Sequence, residues 1–381
     1  MLQHRTDPDW LVAEDHRKYA IKNIFHTEFE YQLDLQTPLR GCPNLRVVND
    51  TVPEHLLFVY NYCTNHLLKL AENESLSDAT RKRILRDTLV GIADLHERNI
   101  LHGVRPFQDI KPDNIFVDYE ETTNGATEVQ RVQVGDLEMG SVIPPGLNVR
   151  GAKLSNPMWR SPESHAAARI NLPTDVFSFG LVCIYTMLRK IIFRIDSEGL
   201  SRADEERLVV KRLLSHFGDG PGLVGLIDHL DDSVASWRDL VLDFIPEFTT
   251  TNPRKPFSMW VEVDEGFTDI VTKMTSLDPA RRITAREALE HPWFQDLWRG
   301  HGVVTDRGDK KIIGPDTESQ NTHNMPQNKV GGTGLFLGRA ISHGQSIHEG
   351  DSRENVQQRI NACPAAKESE NAVTIGDFQK G

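Results

Sequence analysis

Asp109-Ile110-Lys111-Pro112-Asp113-Asn114 is the stretch from which the rest of the chain is read. It offers a carboxylate, an amine two residues on and an amide three residues after that. Apolar runs flank it, Ile100-Leu101 before and Ile115-Phe116-Val117 after, so the polar segment reads as a tight loop held between two buried anchors. Such a set suits phosphoryl transfer, in which positioning and charge stabilisation supply most of the catalysis. A carboxylate can accept a proton from an attacking hydroxyl, an ammonium can sit against the transferring phosphate, and an amide oxygen can ligate magnesium. The plain alternative is an Asp-Pro-Asn turn without chemistry, so the hexapeptide needs partners elsewhere in the chain.

Composition narrows the classes. A chain of 381 residues can bury a substantial core, and 26% charged with 38% hydrophobic residues is ordinary for a soluble protein. A formal net charge of -12 argues against nucleic-acid binding through bulk electrostatics, which needs clustered Lys and Arg. Cys42, Cys63, Cys183 and Cys363 form no CxxC pair and read as reduced thiols, and the fifteen histidines lack metal-ligand spacing. No stretch reaches the ~18 apolar residues of a membrane helix, and the N-terminus MLQHRTDPDW lacks the apolar core of a signal peptide. A cytoplasmic or nuclear protein, with no membrane and no nucleic-acid partner, is the expectation.

DIKPDN resembles the catalytic loop of protein kinases, and a Lys two places after the Asp is the Ser/Thr-specific version. In that frame Tyr19-Ala20-Ile21-Lys22 resembles the strand whose Lys binds the α- and β-phosphates of ATP, with an exposed strand lysine as the structural alternative. Trp10 to Ala13 and Tyr19 to Lys22 read as strands about a polar turn. A helical stripe runs from Phe25 to Leu39, and a strand pair follows at Asn44 to Val48 and Leu56 to Tyr60. Glu30 on the helix is chosen to pair with Lys22, with Glu28 and Asp34 as competitors and a solvated face as the plain reading. Tyr60 lies where the family guards the back of the nucleotide pocket, and residues 60–64 read as the hinge. Val132-Gln133-Val134-Gly135-Asp136-Leu137-Glu138 resembles the strand and Asp-Phe-Gly site, which makes Asp136 a magnesium ligand beside Asn114. Glu138 stands where a glycine lets the backbone flip, so fewer inactive conformers are expected. Pro162-Glu163 resembles the end of the activation segment, Arg282 its ion-pair partner, and Asp175 the residue that holds the backbone of the catalytic loop.

Two departures from the family pattern stand out. The first glycine is Gly41, so residues 1–21 leave room for one strand of the usual glycine-rich hairpin and no phosphate-covering loop. In the family one residue separates the His from the catalytic Asp; here His102 and Asp109 are separated by five more, Val104 to Gln108. Either the loop bulges, or Phe107 replaces the packing of the His, or the five residues come from a mis-predicted exon boundary, whose deletion restores His-Gly-Asp. Gly218 to Gly222 reads as a loop and not a nucleotide cradle, and Tyr119 to Gln130 as a solvated hairpin loop.

The resemblance implies a two-lobed α+β kinase-like fold over residues 1–300, with a small β-rich lobe over 1–62 and a mainly helical lobe over 63–300. A polar tail follows over 301–381. It implies a monomeric ATP- and magnesium-dependent Ser/Thr kinase acting on protein hydroxyls. Asp109 would be the base, Lys111 would stabilise the transferring phosphate, Asn114 and Asp136 would hold magnesium, and Lys22 with Glu30 would align ATP. The rival reading is a pseudokinase, the same fold serving as a nucleotide- or protein-binding scaffold. It rests on the missing glycine loop, the interruption before Asp109 and the Asp-Leu-Glu in place of Asp-Phe-Gly.

Overall fold

The computed structural model describes residues 10–12, 18–103, 110–150, 157–195, 198–231 and 234–295. Asp109, Phe107 and the tail from residue 301 lie outside the described residues, as does the turn between the first two strands.

The small lobe is a four-stranded antiparallel sheet in the order β1-β2-β4-β3, built from β1 (Trp10–Val12), β2 (Lys18–Asn23), β3 (Asp50–Val52) and β4 (Leu57–Asn61). Helix α1 (Phe29–Gln36) covers one face. Its anchor is Phe29, whose ring centroid lies 4.9 Å from that of Phe58 in a cluster with Ile24, Val48 and Tyr60. The helix is shorter than the expected 25–39. Phe25 precedes it and is exposed, and Thr37 to Leu39 tighten into a 3-10 turn containing Pro38. The expected strand at Asn44 to Val48 does not join this sheet. Its Leu45 instead forms a parallel bridge to Val134, with Arg46 N–H donating to the Val134 carbonyl and Val134 N–H to that of Asn44. The position beside β4 is filled by β3, so the segment 44–48 fastens the small lobe to the large one.

The chain crosses to the large lobe through residues 61–64 and enters β5 (Asn65–His66) and α2 (Leu67–Leu70). Ser77 caps α3 (Asp78–His96) by accepting from the Thr80 amide at 3.1 Å, as its place before a helical apolar stripe dictates. That stripe, Ile84, Leu85, Leu89, Ile92, Ala93 and Leu95, is fully buried. After β6 (Ile100–Leu101) come β7 (Ile115–Glu121) and β8 (Thr127–Val134), which pair antiparallel with β5 on the other side of β7. Much of the segment from Tyr119 to Gln130 is therefore paired strand rather than loop, because the turn needs only Thr122 to Ala126, with Gly125 at φ 74°. The short β9 (Ser141–Val142) pairs with β6.

Helices fill the remainder: α4 (Pro162–His165), α5 (Pro173–Leu188), α6 (Arg202–Phe217), α7 (Gly220–His229), α8 (Ala235–Phe244), α9 (Glu265–Met274), α10 (Ala285–Leu289) and α11 (Pro292–Gln295). Helix α5 is apolar all round and buried over most of its length, packed between α3 and α9. Gly218 to Gly222, expected as loop, contains the start of α7, where the Asp219 carboxylate caps the Gly222 amide at 2.8 Å. Arg81 ties the helical layer together. Its buried guanidinium donates to the carbonyls of Ala71, Leu76, Asn73 and Thr186. Among the described residues, no helix is long and apolar enough to cross a membrane.

Candidate active site

The loop after β6 is held from below. Asp175, in the first turn of α5, accepts the His102 amide at 2.9 Å and lies 3.1 Å from His96 Nε2 on the same carboxylate oxygen. It is not the helix N-cap, a position taken by Leu172; its carboxylate is spent on the loop. The His102 ring is buried and its Nε2 lies 2.8 Å from the Gly135 carbonyl. His102 thus packs in the core at its own position, and the extra residues Val104 to Gln108 lie outside the described residues. Lys111 is partly buried with its ammonium 3.8 Å from the Asp113 carboxylate, and Pro112 to Asn114 form a 3-10 turn. Asn114 is buried, and its carbonyl accepts the Gly135 amide at 2.8 Å. That bond joins the DIKPDN loop directly to the residue before Asp136. Gly135 has no room for a side chain: a Cβ would meet the Phe116 ring at 2.6 Å.

Asp136 adopts the left-handed conformation at φ 65°, which Asp tolerates better than most residues. Leu137, Glu138 and Met139 then form a 3-10 turn against α1. Glu138 has no positive φ, so a side chain is admissible where the family pattern has glycine. Across the cleft, Lys22 makes an ion pair with Asp136 and a second with Glu138 at 3.0 Å. Tyr60 donates its hydroxyl to the other oxygen of Glu138. Burial would lower the Lys22 pKa, but Glu138 and Asp136 outweigh it and hold the ammonium above its ordinary value. Burial, followed by the Glu138 charge, raises the Tyr60 phenol well above its usual range, so Tyr60 is a neutral donor.

Glu30, expected opposite Lys22, is not its partner in this structure. Among the described residues, the carboxylates paired with Lys22 are Asp136 and Glu138, while Glu30 is exposed. The cause is helical phase. Phe29 must face the core, so positions three and seven residues later, Gln32 and Gln36, share its buried face, while Glu30 is rotated ~100° towards solvent. The polar groups that α1 buries are therefore uncharged amides. Glu138 was read in the sequence only as a missing glycine. An acid two residues after Asp136, opposite a helix whose buried face carries Gln, was the available signal for its role.

Asn114 and Asp136 present hard oxygen donors, the chemistry that magnesium prefers, and their segments are joined by the Gly135 to Asn114 bond. Among the described residues no cluster of three or more His, Cys, Asp or Glu could hold a metal. Such a cage is not required, because magnesium in nucleotide sites uses one or two protein carboxylates and the substrate phosphates.

The activation segment ends on a buried ion pair. Arg282 donates to both oxygens of Glu163, at 2.6 and 2.7 Å, and also to the carbonyls of Ser276, Pro173 and Leu277. Thr174 donates to Glu163 at 2.8 Å.

The family model described as "Protein kinase domain" matches residues 13–294. The chain belongs to the protein kinase family. Two curated relatives from Trypanosoma brucei brucei, "Cell division control protein 2 homolog 2" and "Cell division control protein 2 homolog 3", are each 26% identical to this chain, over 249 and 250 residues respectively. Those alignments cover 64% and 63% of this chain, and 62% and 69% of the relatives' own lengths. Among solved structures, the "Crystal Structure of the yeast RNA Pol II CTD kinase CTDK-1 complex" has a TM-score of 0.59 at 16% identity, covering 77% of this chain and 95% of the other, a likeness of fold. The two-lobed α+β kinase architecture expected from the sequence is the architecture found.

Proposed function

We propose that this family member is an ATP- and magnesium-dependent Ser/Thr protein kinase. The observation that supports this reading most is the convergence of Lys22, Asn114 and Asp136. They lie 92 and 22 residues apart in sequence (114 − 22 and 136 − 114), yet they are drawn together by the Lys22–Asp136 ion pair and the Gly135 to Asn114 bond. In this proposal Lys22 neutralises phosphate charge, and Asn114 and Asp136 supply the oxygens for magnesium, which when bound offsets charge developing on the transferring phosphoryl group. Lys111 lies on the loop to meet that group, and Asp109, outside the described residues, takes the proton of the substrate hydroxyl. A protein substrate, a cytoplasmic or nuclear location and a kinase unit over residues 1–300 are parts of the same proposal.

One observation favours the pseudokinase reading: Asp136, the proposed magnesium ligand, is already paired with the Lys22 ammonium, so magnesium must compete with that ammonium for it. Phosphotransfer from magnesium-ATP to a generic protein substrate separates the two. Activity that disappears in Asp109→Asn supports the enzyme. No transfer by either protein, together with no ATP binding, leaves the scaffold.

A further inference from the structure

We infer that Glu138 is the positioning carboxylate of Lys22, so that the lysine is set by the Asp136 turn and not by helix α1. The inference rests on the kinase reading and adds to it a residue that the family pattern does not supply at this position.

Three observations carry it. Both oxygens of Glu138 are committed to the small lobe, Oε2 to Lys22 at 3.0 Å and Oε1 to the Tyr60 hydroxyl. Those two partners sit on one face of the sheet: Lys22 is opposite Phe58 and Ala20 opposite Tyr60 in the β2–β4 register, so the four side chains alternate onto the same side. Glu138 is also only 4% exposed, and a carboxylate that deep is costly unless it is paired and hydrogen-bonded. Lys22 supplies the charge and Tyr60 the second donor. Helix α1, in the same lobe as Lys22, buries Phe29, Gln32, Leu35 and Gln36, none of them charged.

A division of labour follows between the two acids that touch Lys22. Asp136 carries the oxygen proposed for magnesium, and Glu138 is the carboxylate left to orient the ammonium. Because both lie in one turn, Lys22 and Asp136 are placed together by a single short element. Movement of α1 does not by itself break the pair.

The test uses the full chain with Lys22→Met, Glu138→Gln and Glu30→Gln, singly and in the two pairs that include Lys22→Met. Urea unfolding midpoints give the couplings, and calorimetric binding of ADP without magnesium gives the affinity. The expected result is a non-additive midpoint shift for Lys22 with Glu138 and additivity for Lys22 with Glu30. Glu138→Gln should weaken ADP about tenfold, the loss of roughly one charged contact, with partial recovery in Glu138→Asp and no change in Glu30→Gln. Tyr60→Phe, which removes one hydroxyl and retains the ring, should weaken ADP in the same direction and keeps the test usable if Glu138→Gln unfolds. Coupling of Lys22 to Glu30 in place of Glu138, or parental ADP affinity in Glu138→Gln and Tyr60→Phe, overturns the inference. Failure of the parent to bind ADP or transfer phosphate defeats the kinase reading instead. The unfolding cycle then still decides whether Glu138 is the partner of Lys22.

Discussion

Arg282 shows at the scale of one residue why a buried charge persists in this fold. Its guanidinium is fully enclosed, faces both oxygens of Glu163, and lies over the Phe177 ring with 4.9 Å from Cζ to the centroid. Removing water from both charges is expensive, and only complete satisfaction offsets that cost. The three carbonyls that Arg282 also reaches, with the Thr174 hydroxyl on Glu163, provide it. Arg282→Ala leaves the carboxylate buried and without its cation, and should cost about 3–5 kcal/mol of stability, read as a lower urea midpoint. A drop within 1 kcal/mol, inside the ordinary scatter for surface changes, would remove the pair from the scaffold. This pair was legible in the sequence as two family-like motifs 119 residues apart (282 − 163). Asp175 and His102 were legible in the same way. Lys22's partner was not, because a motif gives residue types and the choice between Glu30 and Glu138 depends on the rotation of α1. That rotation is set by where Phe29 packs, a tertiary fact.

Elements were most readable where local chemistry and burial agree. In α3 the apolar residues from Ile84 to Leu95 recur at helical spacing and Ser77 stands just before the helix, so pattern and cap agree with what the fold buries. The segment 44–48 pairs with Val134 and not with β4, a choice its apolar residues do not encode, since they fit an extended segment equally well in either lobe. What decides its place is Gly91, midway along α3. The missing Cβ lets the Asn44–Leu45 backbone approach: a side-chain carbon there would lie 2.5 Å from the Asn44 carbonyl oxygen and 3.2 Å from both Leu45 Cδ2 and Val134 Cγ2. A glycine in a helix interior normally costs up to about 1 kcal/mol relative to alanine, so Gly91→Ala would stabilise a free helix. Here the clash with a backbone atom should win, since overpacking a tight contact costs typically 1–3 kcal/mol. Gly91→Ala is therefore expected to lower the thermal midpoint. The amides of Arg46 and Val134, which donate across this junction, should exchange faster with solvent. A raised midpoint would show that the 44–48 segment yields easily and does not fasten the lobes.

For the whole molecule, His216, His66 and Glu163 make stability fall as the solution is acidified, while Asp87, whose carboxyl burial pushes up, works in the opposite direction. Burial lowers the pKa of His216, although its ring meets the Lys255 carbonyl at 2.9 Å, and burial lowers His66 as well. In the unfolded chain both titrate near 6.5. Below that pH the unfolded state therefore binds more protons than the folded one, and stability declines. Glu163 acts lower on the scale. Burial alone would raise its pKa, but Arg282 overrides burial and holds it below the ordinary value. Its contribution is present above the unfolded value of about 4.3 and is lost as pH falls through the folded one. Urea midpoints measured from pH 7 to pH 3 should thus fall in two stages, a shallow decline beginning near 6.5 and a steeper one beginning near 4.3. In Glu163→Gln the molecule starts less stable, because Arg282 has lost its counter-charge, and the lower stage should flatten while the upper one stays. In His216→Gln the upper stage should shrink and the lower one stay. If Glu163→Gln keeps the parent's slope below pH 4.3, the acid sensitivity arises from carboxylates on the exposed surface and not from the pair that closes the activation segment.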